Sequence, residues 1–395
     1  MRIVIDVRPL QKDPAVRGIG TYVRELLRHL SRVDTTNDYF LMQCRGVDPL
    51  CIDLSEGFKV HTLWVGAWRG RLSAFNLLRD WLFLGREVGA VRPDVVHFTA
   101  PIEARQFYDV GRYNGSTVAT LHDITPIVCR SLVFRGRRAL LWPLYRFLFH
   151  HLRSLGHVIT NSATTARDAE QVIGIPASRV TATPLALPED PDVARASADE
   201  LLHAVPAAAE DYLLYVGELS PSKNPALLAP LVAGLERLHG RKLHLIVVGR
   251  PSASSRAVAE EARRLGVADR VHFTGYVSIA LKRALLTSAH CRCMVFPSLY
   301  EGFGLPALEA MAYGVPLVAS NAGALPEVVA DGGVTVDPRD VDAWVRAVES
   351  ILADDAQSRT LRERALIRAQ AFTWERTARA TLAVYERIAA TEPSA

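Results

Sequence analysis

Short apolar runs alternate with amphipathic stretches along both halves of the chain. In the first half these runs are rich in β-branched residues and have the length of buried strands; they lie at residues 3–7, 95–98, 118–121 and 158–160, with an amphipathic stretch at 22–30. The same rhythm returns in the second half, at residues 212–216, 243–248, 271–273, 293–296 and 317–319. Strands that alternate with helices predict βαβ units and parallel sheets, and hence an α/β fold.

A proline-rich break separates the two halves. Residues 185–210 have no strand pattern, and Pro188, Pro191 and Pro206 interrupt them. A chain of 395 residues is also longer than one hydrophobic core usually serves. We therefore predict two Rossmann-like doubly wound domains, followed by a helix in a position to cross back to the first domain; the ranges are residues 1–185, 186–373 and 374–395.

Composition narrows the classes of function. The 46 basic and 42 acidic residues leave a formal charge of +4, which is too small a surplus to indicate a nucleic-acid partner. Five cysteines, an odd number without paired CxxC spacing, favour a reduced cytoplasmic compartment. The start MRIVIDVRPL does not read as a secretory signal, and no run of about 18 apolar residues predicts a membrane span. The cysteines are Cys44, Cys51, Cys129, Cys291 and Cys293.

The segment at residues 296–322, FPSLYEGFGLPALEAMAYGVPLVASNA, is the most informative one. A buried strand ends there, a loop with Gly302 and Gly304 follows, and a helix is predicted to begin at Pro306, because proline suits the first helical position. Glycines let the backbone approach a ligand closely, and the N–H groups at a helix start attract an anion such as a diphosphate.

Two glutamates flank this turn. Glu301 lies in the loop and Glu309 in the predicted first helical turn, with seven residues between them, so both can face one cleft. Taken singly, Glu309 is equally well explained as a carboxylate that complements the helix dipole, and the glycines as an ordinary turn.

Taken together, residues 301–316 resemble the donor-binding run E-G-F-G-L-P-x-L-E-A-M-A-x-G-x-P of the retaining family 4 glycosyltransferases. The resemblance implies the GT-B fold, two Rossmann-like domains that face a central cleft, with the donor mainly on the second. It also implies that Glu301 contacts the transferred hexose and that Glu309 holds the ribose hydroxyls. The backbone amides expected to meet the sugar and phosphates are those of Gly302, Phe303, Gly304 and Leu305.

A second block follows the first strand of the second half. It reads LYVGELSPSKN, and Lys223 can offer its ammonium to the diphosphate, although a lone surface lysine is far commoner. The family has V-G-R-x-x-x-x-K-N here, with arginine and lysine on the phosphates. This chain departs from it, since Glu218 stands at the arginine position. Arg250, in IVVGRPS, is a compensating cation or a contact to the base.

A glycine pair in the first half suggests a further ligand-facing loop. Gly18 and Gly20, in VRGIGTYVRE, are placed between the first strand and a helix predicted to start near Thr21. By themselves two glycines usually mark a turn. In the family a comparable loop leans over the donor phosphates and the acceptor, which makes both glycines candidates.

Polar residues also follow two later strands of the first half. His122 and Asp123 come after the strand at residues 118–121, at an edge where parallel sheets collect ligands, although such pairs are more often structural. The family orients a histidine toward the transferred sugar here, so His122 is a predicted catalytic residue beside Glu301 and Lys223, and Asp123 supports it. Asn161 and Ser162 resemble the family's V-I-x-x-S segment, without a clear role.

Retention is expected without a covalent intermediate. No carboxylate of the first half lies in a motif suited to a glycosyl-enzyme, and the family is assigned a same-face route in which the leaving phosphate accepts the proton. The protein then supplies positioning and charge stabilisation. We expect no bound metal or other cofactor, because neither an Asp-x-Asp motif nor a histidine cluster appears.

Residues 124–167 contain no acidic residue and interleave arginines with aromatics. This pattern is typical of a segment that rests on an anionic membrane surface, in keeping with a peripheral protein of the inner membrane face. It is equally typical of an amphipathic helix pair, broken near Pro143, with solvated arginines. The arginines interleaved with aromatics are Arg130, Arg135, Arg137, Arg138, Arg146 and Arg153.

The predicted substrates are a nucleotide-diphosphate sugar and a glycan or polyprenyl-linked acceptor. GDP-mannose is the first candidate donor, because RGIGTY with LHDITP resembles mannosyltransferases of bacterial surface polysaccharide biosynthesis such as O-antigen. UDP-hexoses, UDP-N-acetylhexosamines and dTDP-rhamnose remain open. Two alternatives are a synthase of the same fold with a soluble sugar acceptor and a non-catalytic nucleotide-sugar-binding scaffold, which Glu218 keeps open.

Overall fold

The computed structural model describes residues 1–12, 17–45, 50, 52–67, 83–102, 116–189 and 194–391. Cys51, Pro191 and the side chain of Arg137 lie outside the described residues.

The chain divides into two compact units. The first comprises Met1–Ile127, Phe134–Pro188 and Thr373–Ala395, and the second comprises Val128–Val133 and Glu189–Phe372. The main division thus follows Pro188, where the sequence analysis places it after residue 185. The segment Val128–Val133 differs from the predicted division, because its helix at Arg130–Val133 packs against the turn Pro221–Lys223 of the second unit.

The described part of the first unit contains a sheet of seven parallel strands in the order β3-β2-β1-β4-β5-β6-β7. The central strands are buried on both faces, as a parallel sheet covered by helices requires. The strands are β1 Arg2–Asp6, β2 Asp38–Arg45, β3 Lys59–Ala67, β4 Val95–Phe98, β5 Ser116–Leu121, β6 His157–Thr160 and β7 Val180–Ala182.

Helices connect these strands. They are α1 Arg8–Lys12, α2 Arg17–Val33, α3 at residues 83–89, α4 Thr125–Val128, α5 Arg130–Val133, α6 Trp142–His151 and α7 Ala163–Asp168. Pro143 lies in the first turn of α6, directly after the 3₁₀ helix Gly136–Leu141, so one helix ends and the next begins near Pro143 as expected. Leu148 and Phe149 are the buried residues of α6, which therefore packs one apolar side on the unit.

The C-terminal helix α16, Trp374–Thr391, completes the first unit. The hydroxyl of Tyr385 lies 2.6 Å from Nδ1 of the buried His97 on β4. Ser116 Oγ on β5 donates to the carbonyl of Ile388 at 3.1 Å, and Thr377 Oγ1 donates to the carbonyl of Pro184. Two hydrogen bonds thus tie the helix to strands in the middle of the sheet.

The described part of the second unit contains a sheet of six parallel strands in the order β10-β9-β8-β11-β12-β13. Its strands are β8 Tyr212–Val216, β9 His244–Val248, β10 Val271–Gly275, β11 Cys291–Phe296, β12 Leu317–Ser320 and β13 Val334–Val336. Its helices are α8 Ala198–Ala204, α9 Leu228–His239, α10 Ala253–Arg264, α11 Ile279–Thr287, α12 Leu305–Ala312, α13 Leu325–Val329, α14 Val341–Ala353 and α15 Asp355–Gln370.

The proline-rich break contains a helix, α8, within residues 185–210. Ser197 and Glu200 form its capping box, in which each side chain bonds the other residue's backbone N–H. The segment is therefore only partly a linker.

Each sheet has a switch point where the strand order reverses. It lies between β1 and β4 in the first unit and between β8 and β11 in the second. Open α/β sheets bind ligands outside the carboxyl ends of the strands at such points. The residues that follow β8 and β11, and those that follow β1 and β4, therefore lie where a ligand is expected to bind.

Candidate functional site

Lys223 and Glu301 meet at the switch point of the second sheet. Lys223 ends the short 3₁₀ turn Pro221–Lys223 that follows β8, and Glu301 lies in the loop after β11. The Nζ atom of Lys223 lies 2.6 Å from Oε1 of Glu301, and Ser298 Oγ donates to the same oxygen at 2.6 Å. The side chains of Lys223 and Glu301 are 27% and 10% exposed. The ammonium of Lys223 therefore reaches solvent, whereas the carboxylate of Glu301 is largely buried and hydrogen-bonded to Ser298.

The loop after Glu301 leads into α12. The helix begins at Leu305, so Pro306 is its second residue and Glu309 its fifth; the predicted start at Pro306 and the place of Glu309 in the first turn were off by one residue. Gly304 precedes the helix with φ +99°, a conformation that favours glycine. Its left-handed backbone turns the chain sharply enough for a helix to start directly after the strand loop.

Phe303 faces the protein interior. Its side chain is 4% exposed and its ring meets that of Phe372 edge to face, with 5.6 Å between centroids. A contribution of Phe303 to a ligand is therefore restricted to its backbone, as the sequence analysis expects for residues 302–305.

Glu309 has its own lysine partner. Lys282, in the first turns of α11, places Nζ 2.6 Å from Oε1 of Glu309, and the two side chains are 25% and 17% exposed. Glu301 and Glu309 thus each form an ion pair with a lysine. The two lysines, Lys223 and Lys282, lie in different connections between strands. A single helical lysine gives no signal in the sequence, and Lys282 was missed for that reason.

A close backbone approach fixes the position of Glu301. Gly323 has φ +59°, and a Cβ atom there would lie 2.5 Å from the carbonyl oxygen and 2.6 Å from the nitrogen of Glu301. The next residue, Ala324, donates its N–H to that carbonyl at 2.9 Å. The loop after β12 therefore supports the loop after β11, and Gly323 is a second residue that the sequence analysis missed.

Glu218 and Arg250 follow the adjacent strands β8 and β9, and both side chains are exposed. A Cβ on Gly249 would lie 2.0 Å from the carbonyl oxygen of Gly217, so the two loops are in close contact. The carbonyl of Glu218 accepts a hydrogen bond from Tyr215 at 3.1 Å. Arg250 thus lies on the neighbouring connection to Glu218, and its role as a cation or base contact stays a prediction.

His122 is held by two partners in the first unit. Its Nε2 donates to the carbonyl of Thr99, after β4, at 2.8 Å, and Asn161 Nδ2 donates to its Nδ1 at 3.0 Å. The ring also meets that of Tyr22 edge to face, with 5.0 Å between centroids. Burial lowers the pKa of His122 to about 4, so the ring is neutral at pH 7 and both nitrogens are engaged. This geometry orients the ring; its assignment to the transferred sugar stays a prediction.

Asn161 and Asp123 support this histidine differently. Asn161 is 3% exposed, and its Oδ1 is buried without a hydrogen-bond partner among the described residues. Asp123 accepts the backbone N–H of Thr125 at 2.8 Å, which fixes the turn that leads into α4. Asn161 therefore contacts the imidazole directly, whereas the hydrogen bond of Asp123 goes to the backbone after it.

The glycine pair lies in a helix. Because α2 begins at Arg17, Gly18 and Gly20 are in its first turn, and the predicted start near Thr21 was wrong. A Cβ on Gly18 would meet nothing within 4 Å, whereas one on Gly20 would lie 3.4 Å from Leu10. Gly18 thus presents open backbone at the start of a long helix that follows the switch-point strand β1.

Neither a metal-binding cluster nor a membrane-spanning helix is present among the described residues. No group of three or more histidine, cysteine, aspartate or glutamate side chains there is placed to hold a metal ion. In the same residues no helix is long and apolar enough to cross a membrane.

Comparisons with known families cover both units. Residues 16–188 match Glycosyltransferase Family 4, and residues 203–368 match Glycosyl transferases group 1. An O-antigen chain mannosyltransferase B of Escherichia coli is 32% identical over 271 residues, which is 68% of this chain and 70% of that protein. A D-inositol 3-phosphate glycosyltransferase of Stackebrandtia nassauensis is 32% identical over 93% of this chain and 86% of its own length.

Solved structures agree with the fold. A sucrose-phosphate synthase of Thermosynechococcus elongatus matches with a TM-score of 0.72 at 23% identity, over 99% of this chain and 100% of that one. HepE of Anabaena, solved in complex with UDP-glucose, matches with a TM-score of 0.69 at 17% identity, over 98% and 100%. With both units matched and relatives at 32% identity over most of their length, the chain belongs to the family 4 glycosyltransferases and has the GT-B fold.

Proposed function

We propose that the chain transfers a hexose from a nucleoside-diphosphate sugar to an acceptor hydroxyl with retention of anomeric configuration. The observation that carries the proposal is the pairing of Lys223 with Glu301 at the switch point of the second sheet, with Glu309 on the helix that follows. A cation, two carboxylates and a run of backbone amides lie along one loop and helix start. These groups match the diphosphate, the hydroxyls and the sugar of such a donor.

Each group has a separate task in the proposal. Glu309 accepts hydrogen bonds from the ribose and Glu301 from the transferred hexose. The ammonium of Lys223 has three N–H donors, so it can keep its bond to Glu301 and still bind a phosphate oxygen. Glu218 is exposed, so solvent and salt screen its charge, and Arg250 on the neighbouring loop offsets it.

The reaction then follows the same-face route. The acceptor hydroxyl oxygen forms a bond to the anomeric carbon as the bond from that carbon to the diphosphate oxygen breaks, and the bonding electrons leave with the diphosphate. The proton of the hydroxyl passes to a phosphate oxygen on the same face. Lys223 stabilises the charge that develops on the leaving group, and no metal or other cofactor takes part.

GDP-mannose is the proposed donor. Two relatives are named as mannosyltransferases: the Escherichia coli protein, and an MMP alpha-(1->4)-mannosyltransferase of Mycolicibacterium hassiacum that is 40% identical over 171 residues but matched over only 40% of its length. UDP-sugars are the alternative, in line with the sugar nucleotide bound to HepE.

The proposed acceptor is a glycan or polyprenyl-linked saccharide of cell-surface polysaccharide biosynthesis. The O-antigen mannosyltransferase among the relatives supports it. A small soluble acceptor is the second candidate, favoured by two relatives named for D-inositol 3-phosphate that each match over 93% of this chain.

A thermal-shift panel tests the donor. GDP, UDP, dTDP and their sugars are added to the wild type and to Glu309→Ala, because a ligand that binds only the folded state raises the melting temperature. At a ligand concentration of about 100 times Kd the gain is about 2.7 kcal/mol. We expect one nucleotide to stabilise the wild type and not the variant; no response to any of them would contradict a nucleotide-sugar donor.

A transfer assay tests the reaction. The donor selected by the panel is incubated with a soluble sugar acceptor and, separately, with a polyprenyl-linked one, in EDTA. We expect transfer to the lipid-linked acceptor with the anomeric configuration of the donor, read by NMR of the product. Inversion, or loss of activity in EDTA that a divalent cation restores, would refute the route.

The outer side of α6 and of the 3₁₀ helix before it, Gly136–Leu141, is the proposed membrane-facing surface, on the cytoplasmic face. Leu140 is 83% exposed and Phe147 50% exposed, next to the exposed Arg138 and Arg146. Exposed apolar and basic side chains on one segment suit an anionic lipid surface.

Sedimentation with anionic vesicles at low salt tests this surface. The wild type and Ile367→Ser, a control at a 69% exposed position of the second unit, should pellet with the vesicles, whereas Leu140→Ser/Phe147→Ser should not. Equal pelleting of all three would refute this surface.

A further inference from the structure

Lys282, in the second unit, carries a positive charge that has no task in the proposed reaction. It lies in the first turns of α11, the helix that follows the edge strand β10, and Ser278 caps the start of that helix by accepting the N–H of Leu281. From there its ammonium reaches Oε1 of Glu309 on α12, the helix after β11. The pair thus joins two helices whose strands are not neighbours in the sheet.

The ion pair between Lys282 and Glu309 resembles the one between Lys223 and Glu301. Both ion pairs measure 2.6 Å from nitrogen to oxygen, and in both the lysine is about a quarter exposed while the carboxylate is more buried. Lys223 has a task in the proposed reaction, whereas Lys282 has none. Within the part of the chain that the structure describes, no other ion pair or hydrogen bond reaches the carboxylate of Glu309.

We propose that Lys282 is a positioning residue that orients the carboxylate of Glu309 toward the ribose, and so makes the site select ribonucleotides over deoxyribonucleotides. This inference rests on the proposed function, in which Glu309 accepts the ribose hydroxyls.

The physical reason is the freedom of a glutamate side chain. Its terminal torsion is broad, so a carboxylate without a partner samples many orientations. Lys282 fixes Oε1, and Oε2 is then held in one place as an acceptor. A preorganised acceptor loses less freedom when a hydroxyl binds, and a missing hydroxyl leaves it unpaired.

The quantity measured is the ratio of the affinity for a ribonucleotide to the affinity for the matching deoxyribonucleotide. Calorimetry gives Kd for GDP and 2′-deoxy-GDP, and for UDP and 2′-deoxy-UDP, on the purified full chain. The variants are Lys282→Met, Lys282→Arg and Glu309→Gln, with Lys242→Met as the matched control, since Lys242 is an exposed lysine of the same unit, before β9. A general loss of fold lowers both affinities alike and leaves the ratio unchanged.

We expect the wild type, Lys242→Met and Lys282→Arg to prefer the ribonucleotide by about tenfold or more, the size of one charge-assisted hydrogen bond. Lys282→Met should bring the ratio close to that of Glu309→Gln, within about threefold of unity. An unchanged ratio in Lys282→Met beside a reduced one in Glu309→Gln would overturn the inference and leave the proposed function standing. An unchanged ratio in both, or no binding of either nucleotide, would overturn both.

Discussion

Replacing Gly323 by alanine should displace Glu301 while leaving its side chain intact. Gly323 has φ +59°, and the added Cβ would lie 2.5 Å from the carbonyl oxygen and 2.6 Å from the nitrogen of Glu301. Both are backbone atoms of the loop after β11, so neither can rotate away. That loop also holds the bonds from Lys223 and Ser298 to the carboxylate, and its movement would disturb them.

The size of the effect follows from the two distances. Ordinary contact needs about 3.5 Å, so the loops must separate by about 1 Å. The left-handed backbone costs an alanine about 1–2 kcal/mol, and overpacking adds about 1–3 kcal/mol. A misplacement of about 1 Å in a site can lower the rate about 10²-fold.

Gly266 offers the matched control. It has φ +74°, and a Cβ there would meet nothing within 4 Å. Gly266→Ala therefore has the backbone cost of about 1–2 kcal/mol without the clash. Urea unfolding measures the stability of both variants, and transfer assays at a temperature where both are folded measure the rate.

We expect Gly323→Ala to be less stable than Gly266→Ala by about 1–3 kcal/mol and to lose most of its activity. Equal stability of the two variants, together with wild-type turnover in Gly323→Ala, would refute the claim that this contact positions Glu301.

Three further predictions concern single side chains. Lys223→Met should lower kcat about 10²-fold or more, because it removes the cation assigned to the leaving group; an unchanged kcat in steady-state kinetics would contradict this. Asn161→Leu should raise the pKa of His122 from about 4, since the donor to Nδ1 stabilises only the neutral ring; NMR titration reads this pKa, and no rise would count against the contact. Burial lowers the pKa of His97 to about 3, so its contribution to stability is complete above its unfolded value near 6.5 and is lost as the pH falls toward 3. In His97→Gln the unfolding free energy should therefore fall less between pH 7 and pH 5 than it does in the wild type, by up to about 1.4 kcal/mol per pH unit. Urea unfolding at both pH values measures this, and an equal fall in the wild type and the variant would refute it.

Much of the fold was predictable because buried parallel strands appear in the sequence as short apolar runs. The runs at residues 95–98 and 212–216 coincide with β4 and β8. The strands β2 and β3 were missed, since DYFLMQCR and KVHTLWVGA mix polar and charged residues with apolar ones. The strand β13 has three residues, too few for any periodicity.

The site was predictable only where its chemistry is contiguous in sequence. Glu301 and Glu309 were found because they share one loop and helix. Lys282, Gly323 and the contact of Asn161 with His122 join segments far apart in the chain, and only the folded backbone brings them together. The start of α2 was misplaced because Gly18 and Gly20 suggest a turn, whereas the long amphipathic helix includes them.

The helix α16 has a consequence for the order in which the protein is made. The hydrogen bond between Tyr385 and His97, and the one that Ser116 donates to Ile388, join residues 288 and 272 positions apart. On the ribosome the first unit must therefore wait for residues that are synthesised after the whole of the second. Until then His97 on β4 and Ser116 on β5 lack their partners on α16, whereas Glu189–Phe372 is already synthesised as one continuous segment. The part of the chain that emerges first is thus the later one to finish folding.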